Sequence, residues 1–228
     1  MGCHHELWRR HGGGLWAKSH GRSGGTAEAV MTSGCRKIAA ILAFSGAPGR
    51  ESLNGRLLDE AVELIAELGT DVSVLDLRDL ELPLYDPDME PRDWPRGVRS
   101  FRQLLSAHDG LVISTPEYNG SLPPLLKNAL DWSAMATGGS SGFAPHRGKV
   151  AAIMTATAGE TPPTCCLDHL RAVLSALGVM VLADEVAIGS AGSALDALRG
   201  SPLYVLLRRQ METLVCELRA SRIRIDRP

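Results

Sequence analysis

The feature that most limits the possible folds is a repeated alternation of short apolar runs with helical patterns. Residues 38–44 form a continuous apolar run that ends at Ser45 and Gly46, which is typical of a strand covered on both faces. A helical pattern follows from Leu53 to Leu68 and ends at Gly69. Further strands are predicted at 71–76, 111–114, 149–155 and 179–182, and further helices at 98–107, 122–134, 164–177 and 203–220.

This alternation predicts an α/β fold, namely a flavodoxin-like doubly wound sheet of five parallel strands with helices on both faces. In such sheets, ligands bind beyond the carboxyl ends of the strands, where the strand order reverses. The loops after strands one, three and four are therefore the predicted site. We assign residues 37–228 to this domain. Residues 1–36 are rich in glycine and histidine and lack hydrophobic periodicity, so we predict a disordered extension.

Composition excludes several classes of partner. The formal net charge of −2 argues against nucleic acid, and no apolar run approaches the ~20 residues that cross a bilayer. The five cysteines include no C-x-x-C pair, which argues against a disulfide framework or a zinc site and favours a reducing cytoplasm. Adjacent Cys165 and Cys166 are interpreted as small residues at a helix start, one of them facing inward, in preference to a thiol activated by the helix N-terminus.

The first candidate loop, residues 45–54, joins a buried strand to a helix N-terminus. Gly46 and Gly49 let backbone N–H groups approach an anion, and the helix N-terminus adds a partial positive charge. Further donors come from Ser45, Arg50, Ser52 and Asn54. The loop has neither the Gly-Lys-Ser/Thr of a P-loop nor a Gly-x-Gly-x-x-Gly, so it favours a phosphate monoester over a pyrophosphate.

The second candidate loop, residues 115–120, carries Tyr118, one of few aromatic residues in the chain. Asn119 and Gly120 allow backbone angles that turn amides towards a ligand edge. We expect Tyr118 to lie beside a planar ring. His146 and His169 are interpreted as ordinary surface residues, and residues 136–148 as an exposed loop.

Several segments together resemble the NAD(P)H-dependent FMN reductase family, which includes flavodoxin-like quinone, azo-dye and chromate reductases. The strongest match is Pro-Glu-Tyr-Asn-Gly at 116–120, followed by Lys-Asn-Ala-Leu-Asp-Trp at 127–132. Weaker matches are Ser45-Gly46 with Ser52-x-Asn54, and the segments at 82–88, 147–150 and 185–188. The resemblance extends over about residues 37–220.

The resemblance implies noncovalently bound FMN and an NAD(P)H-dependent enzyme. Hydride would pass from nicotinamide to FMN and on to a quinone, flavin or similar small acceptor in a ping-pong scheme. The phosphate would sit on Ser45, Arg50, Ser52, Leu53 and Asn54. The ring would lie along Pro116, Glu117, Tyr118, Asn119 and Gly120, with Thr155, Thr157 and Gly159 at its other edge.

Because the cofactor carries the chemistry, no general base is assigned, and Glu117 is interpreted as a structural or subunit-interface carboxylate. The resemblance also implies a homodimer or homotetramer. The candidate contacts are helix 122–134 and the loops at 77–95 and 136–148.

Some positions depart from the family pattern. Ala47 and Gly49 stand where serine and arginine are usual, and Arg50 comes one position late. Losing one hydroxyl contact costs ~0.5–1.5 kcal/mol, which predicts weaker FMN binding rather than none. Residues 160–163 replace the usual glycines of the third loop.

Two alternatives stay open on the sequence alone. One is a flavodoxin-type FMN carrier that does not itself oxidise NAD(P)H. Such carriers tend to be strongly acidic, whereas this chain is not. The other is a flavin-free regulatory or scaffold protein. Anaerobic bleaching of bound flavin by NADPH distinguishes the enzyme from the carrier, and a colourless protein that takes up no FMN would indicate the scaffold.

Overall fold

The computed structural model describes residues 39–46, 52–136, 139 and 141–225, with side chains described as far as residue 221. The predicted extension at 1–36 and the positions Ala47, Gly49 and Arg50 lie outside the described residues. The strands are β1 Ala40–Ser45, β2 Asp71–Asp76, β3 Gly110–Ser114, β4 Val150–Ala156, β5 Met180–Val181 and β6 Val186–Ile188. The helices are α1 Leu53–Glu67, α2 Arg96–Ala107, α3 Pro124–Ser133, α4 Cys165–Ala176, α5 Ala191–Asp196 and α6 Pro202–Ile225.

The strands form one parallel sheet in the order β2-β1-β3-β4-β5. The predicted flavodoxin-like architecture is confirmed. Its fifth position is shared by two short strands, because β5 pairs with the start of β4 and β6 pairs with its end. Strand β6 and helix α5 are elements that the sequence patterns do not indicate.

The two faces of the sheet are covered by different helices, because consecutive strand residues point to opposite sides. Ile41 and Ala43 of β1 pack in the core under α1 and α6. Leu42 and Phe44 pack in the core under α2, α3 and α4, where Phe44 meets Phe101 edge to face at 5.9 Å. The continuous apolar run in β1 therefore reflects burial on both faces.

Helix α1 begins where the sequence predicts. Ser52 is its N-cap, and the Ser52 hydroxyl accepts a hydrogen bond from the Gly55 N–H at 2.9 Å. Because α1 follows β1 directly, this cap fixes the first turn of the helix at the carboxyl end of the sheet.

Candidate functional site

The carboxyl ends of β1, β3 and β4 lie side by side at one edge of the sheet. Ser45 stands opposite Ser114, and Ser114 stands opposite Met154. The ladder continues past the strands, since the Gly46 N–H donates to the Ser114 carbonyl at 2.8 Å. The strand order reverses between β1 and β3, so all three predicted loops leave the sheet next to its switch point.

Gly46 sits where a larger residue would not fit. A Cβ atom at this position would lie 2.6 Å from Thr115 Oγ1 and 3.1 Å from Leu126 Cδ2. Glycine therefore lets the start of the first loop pass directly against the start of the second loop and α3.

Asn54 connects the first loop to the two other strand ends. Its Oδ1 accepts from the Ala156 N–H at 3.0 Å and from the Ser114 hydroxyl at 3.1 Å, and its Nδ2 donates to the Ala156 carbonyl at 2.8 Å. The side chain is buried. Asn54 therefore ties α1 to β3 and β4, and its side chain is committed to the protein rather than turned to a phosphate.

The first turn of α1 is suited to an anion. The N–H groups of Leu53 and Asn54 have no acceptor within the helix, because the first residues of any helix lack one. No acidic residue stands in this turn. Together with the partial positive charge of the helix N-terminus, these amides form a phosphate-compatible donor set. Ser45 is half-buried at the adjoining end of β1.

The second loop contains a tight two-residue turn. The N–H of Tyr118 donates to the Ser121 carbonyl at 3.0 Å, and the N–H of Ser121 donates back to the Tyr118 carbonyl at 3.1 Å. Asn119 has φ 53° and Gly120 has φ 74°, which identifies a type I′ turn. Tyr118 is 43% exposed, and the amides of Asn119 and Gly120 lie outside the turn's two hydrogen bonds.

Pro116 and Glu117, which precede the turn, are half-buried. Glu117 points away from the turn's exposed side, because its Oε2 accepts the N–H of Cys166 in α4 at 3.1 Å. Cys166 is buried and Cys165 exposed, as the sequence predicts. Burial raises the pKa of the Cys166 thiol, so this thiol is a packing residue and not an activated nucleophile.

The third loop is supported by a segment that sequence reasoning missed. The Thr157 N–H donates to the Ile188 carbonyl at 2.9 Å, and the Thr157 carbonyl accepts from the Ala191 N–H at 2.8 Å. The Gly159 carbonyl accepts from the Ser190 N–H at 2.6 Å. Thr155 is fully buried, whereas Gly159 is exposed. Of the predicted contacts in this loop, Thr157 and Gly159 are the ones near the surface.

His146 corrects a prediction made from sequence. It is fully buried, and its Nε2 lies 2.9 Å from Ser133 Oγ at the opposite, amino end of the sheet. The interpretation of His146 as a surface residue is therefore wrong, because its ring is buried against Ser133 at the C-terminal end of α3. His169 is exposed, as predicted.

The described ranges hold neither a metal cluster nor a membrane-spanning helix. No group of three or more His, Cys, Asp or Glu side chains there could hold a metal ion. Among the same residues, no helix is long and apolar enough to cross a membrane.

The residues at this edge fit FMN by their chemistry. The first turn of α1 offers amides and has no acidic residue among its own described residues, which suits a phosphate. Across the switch point, the Asn119–Gly120 turn offers exposed amides and neutral polar side chains, which suits a planar heterocycle with its own hydrogen-bonding edge.

Comparison with known proteins gives a consistent result. The sequence model of the NADPH-dependent FMN reductase family matches residues 39–193. An NAD(P)H-dependent FMN reductase of Pseudomonas aeruginosa is 35% identical over 178 residues, covering 76% of this chain and 92% of the relative. A 2-hydroxy-1,4-benzoquinone reductase of Burkholderia is 35% identical over 181 residues, covering 78% of this chain and 92% of the relative.

A solved structure supports the fold. The flavoenzyme NAD(P)H:(acceptor) oxidoreductase FerB of Paracoccus denitrificans superposes with a TM-score of 0.66 at 22% identity, covering 81% of this chain and 99% of that one.

Proposed function

Because this chain belongs to the NADPH-dependent FMN reductase family, we propose that it binds FMN at the carboxyl edge of the sheet and uses NAD(P)H to reduce a small quinone. Family membership confirms the prediction of an NAD(P)H-dependent FMN oxidoreductase. The proposal adds the acceptor class and the residues that hold the cofactor.

One observation carries the placement of the site. The first turn of α1, free of acidic residues, and the exposed Asn119–Gly120 turn lie on either side of the switch point, where β1 and β3 are paired. Bound FMN would supply two-electron exchange between a nicotinamide and a quinone. In this arrangement the amides of Leu53 and Asn54 would bind the phosphate. Those of Asn119 and Gly120 would donate hydrogen bonds to the ring.

The quinone acceptor is supported by the neutral character of the turn. Residues 118–121 carry no charged side chain, and Tyr118 presents a half-exposed ring beside them. An uncharged planar acceptor can approach such a surface without desolvating an ion. Two of the relatives are also described as a benzoquinone reductase and a quinone reductase.

Anaerobic reduction tests this proposal. FMN-loaded protein is mixed with NADPH or NADH, and the visible flavin absorbance is followed before and after 1,4-benzoquinone is added. We expect bleaching by at least one nucleotide and full recovery with one equivalent of quinone. Bound FMN that neither nucleotide bleaches would indicate an electron carrier instead. Protein that takes up no FMN would contradict the site itself.

We also propose a homodimer or homotetramer that includes the loop around Leu84. Leu84 is 86% exposed although both of its neighbours are held rigidly. Asn128 Nδ2 donates to the Pro83 carbonyl at 2.8 Å, and Asn128 Oδ1 accepts from the Tyr85 N–H at 2.8 Å. An interface that includes this loop would remove the Leu84 side chain from water, which favours association.

Sedimentation velocity of two separate variants, L84D and V205D, tests the interface. Val205 is 63% exposed on α6 and serves as the matched apolar control. We expect dissociation in L84D alone. A monomeric wild type, or equal behaviour of both variants, would contradict the proposal.

The cytoplasm is the proposed compartment. Cys165, Cys166 and Cys216 are free thiols, as expected where glutathione keeps cysteines reduced. Fractionation of cells that express the chain, with activity in the cytosolic fraction, is the expected result.

A further inference from the structure

The turn formed by Tyr118, Asn119 and Gly120 is held by one helix on both of its sides. Glu117, immediately before the turn, accepts the Cys166 N–H at 3.1 Å. Ser121, immediately after it, lies with its hydroxyl 3.0 Å from His169 Nδ1. Cys166 and His169 both belong to α4. The exposed residues of the turn therefore have a contact to α4 immediately before them and another immediately after them.

The Glu117 contact replaces a missing helix cap. Thr164 occupies the N-cap position of α4 but makes no side-chain cap hydrogen bond. Glu117, which lies 49 residues before Cys166 in the chain, supplies the acceptor instead. A carboxylate at a helix N-terminus gains from the helix dipole as well as from a charge-assisted hydrogen bond. This contact is therefore the stronger of the two.

The helix itself is a fixed support. Cys166, Leu167 and Leu170 of α4 are fully buried in the core beneath the sheet. The Cys166 thiol also reaches Thr155 Oγ1 at 3.6 Å, next to the exit of β4. The N-terminal part of α4 thus contacts the ends of both strands that lead into the ring-binding loops.

Packing around Ser121, at the end of the turn, is incomplete. Ser121 and His169 line a groove of about 310 Å³ between α3 and α4, together with Leu122, Lys127, Ala172 and Val173. Because side chains do not fill this space, the hydrogen bonds to α4 add to what holds the turn in place.

We propose that α4 clamps the turn at 118–120 in the position that receives the flavin ring, with Glu117 and His169 as positioning residues. This inference rests on the proposed function. In this role, Glu117 does not contact the cofactor and does not act as a general base. The clamp also connects the second loop to the third, since α4 begins where the third loop ends.

Hydrogen exchange and FMN affinity test the clamp together. Exchange at the Tyr118 and Ser121 amides is measured in cofactor-free protein, and FMN dissociation constants are measured by flavin fluorescence. The variants are E117A, which removes the acceptor, E117Q, which keeps an acceptor oxygen, and S121A, which removes the weaker contact. D168N is the matched control. It also removes a carboxylate from the α4 N-terminus, and no contact to the turn involves Asp168 among the described residues.

We expect E117A to speed exchange at both amides and to weaken FMN binding, each about tenfold, because a charge-assisted hydrogen bond is lost. S121A should change both by about threefold. E117Q should fall between E117A and wild type, because it keeps an acceptor oxygen but loses the charge. D168N should stay close to wild type, and exchange at the buried Leu170 and Leu174 of α4 should be unchanged in every variant.

Unchanged exchange at Tyr118 and Ser121 in E117A and S121A would overturn the clamp. Faster exchange throughout α4 would also overturn it, since that indicates general destabilisation. If wild type binds no FMN, the proposed function fails. The exchange data in cofactor-free protein still decide whether α4 holds the turn.

Discussion

At the amino end of the sheet, the half-buried Arg102 and the buried Lys149 contact the C-termini of helices. At the carboxyl end, a hydroxyl group and a carboxylate contact helix N-termini instead. Arg102 donates to the carbonyls of Ser133 and Met135 at the end of α3, the latter at 2.8 Å. Lys149 donates to the carbonyl of His108, which caps α2. Both pairings complement the negative end of a helix dipole.

At the carboxyl end, the groups that cap helices face the positive end of the helix dipole. The Ser52 hydroxyl caps α1, and the Glu117 carboxylate caps α4. The positive charges at the amino end already form hydrogen bonds within the protein. The first turn of α1, by contrast, has backbone amides that remain available to a ligand. The comparison teaches that substitutions at the amino end should change stability, and those at the carboxyl end should mainly change FMN binding.

Asn54→Ala should have the largest effect, and it is an exception to this expectation. Although Asn54 lies at the carboxyl end, its side chain connects α1 to β3 and β4, so its loss should change stability. Its loss leaves the Ala156 N–H and carbonyl and the Ser114 hydroxyl without their partner, which costs about 4 kcal/mol of unfolding free energy. Urea denaturation measures the effect. The matched control N128A removes two hydrogen bonds from a half-buried site and should cost about 1 kcal/mol. Equal losses in both variants would contradict the role of Asn54.

The amino end should make stability depend on pH through His146. Burial, with Lys149 and Arg102 nearby, lowers the pKa of His146 to about 4. The folded state therefore favours the neutral ring, while the unfolded chain binds a proton from pH 6.5 downwards. The resulting stability is complete above pH 6.5 and is lost as the pH falls to about 4, a change of about 3 kcal/mol.

Urea denaturation of wild type and H146Q between pH 7 and pH 4 checks this dependence. The difference in unfolding free energy between the two proteins should shift in favour of H146Q as the pH falls. A constant difference would show that His146 does not carry the effect.

Ser52→Asp should separate binding from stability at the carboxyl end. Aspartate is as good an N-cap as serine, so unfolding free energy should stay within about 0.5 kcal/mol of wild type. A negative charge beside a bound phosphate should weaken FMN binding about a hundredfold. S52N, a neutral N-cap, is the control and should bind nearly as wild type. Flavin fluorescence titration gives the affinities, and equal binding by both variants would place the phosphate elsewhere.

Tyr118→Leu should have the smallest effect of this series. Removing a half-exposed ring beside the flavin should weaken FMN binding about fivefold and leave stability unchanged. Y118F keeps the ring and should match wild type. If Y118F and Y118L lose the same affinity, the hydroxyl rather than the ring makes the contact.

Much of this fold is predictable from sequence because its main elements carry strong local signals. Strand β1 is a continuous apolar run, and α1 begins at a serine N-cap. Strand β6 and helix α5 carry no such signal, being only 3 and 6 residues long. They form because β4 and the third loop offer them hydrogen-bond partners.

The sequence by itself determined the alternating architecture, the Asn119–Gly120 turn and the edge of the sheet at which we propose that a ligand binds. Periodicity, turn chemistry and the switch-point rule are local or topological, and so they can be read without coordinates. Tertiary structure alone decided that Asn54 is a tie, that Glu117 caps α4 and that His146 is buried. Each of these roles depends either on a partner that is distant in sequence or on burial by the folded chain. Neither of these two causes leaves a pattern in the sequence.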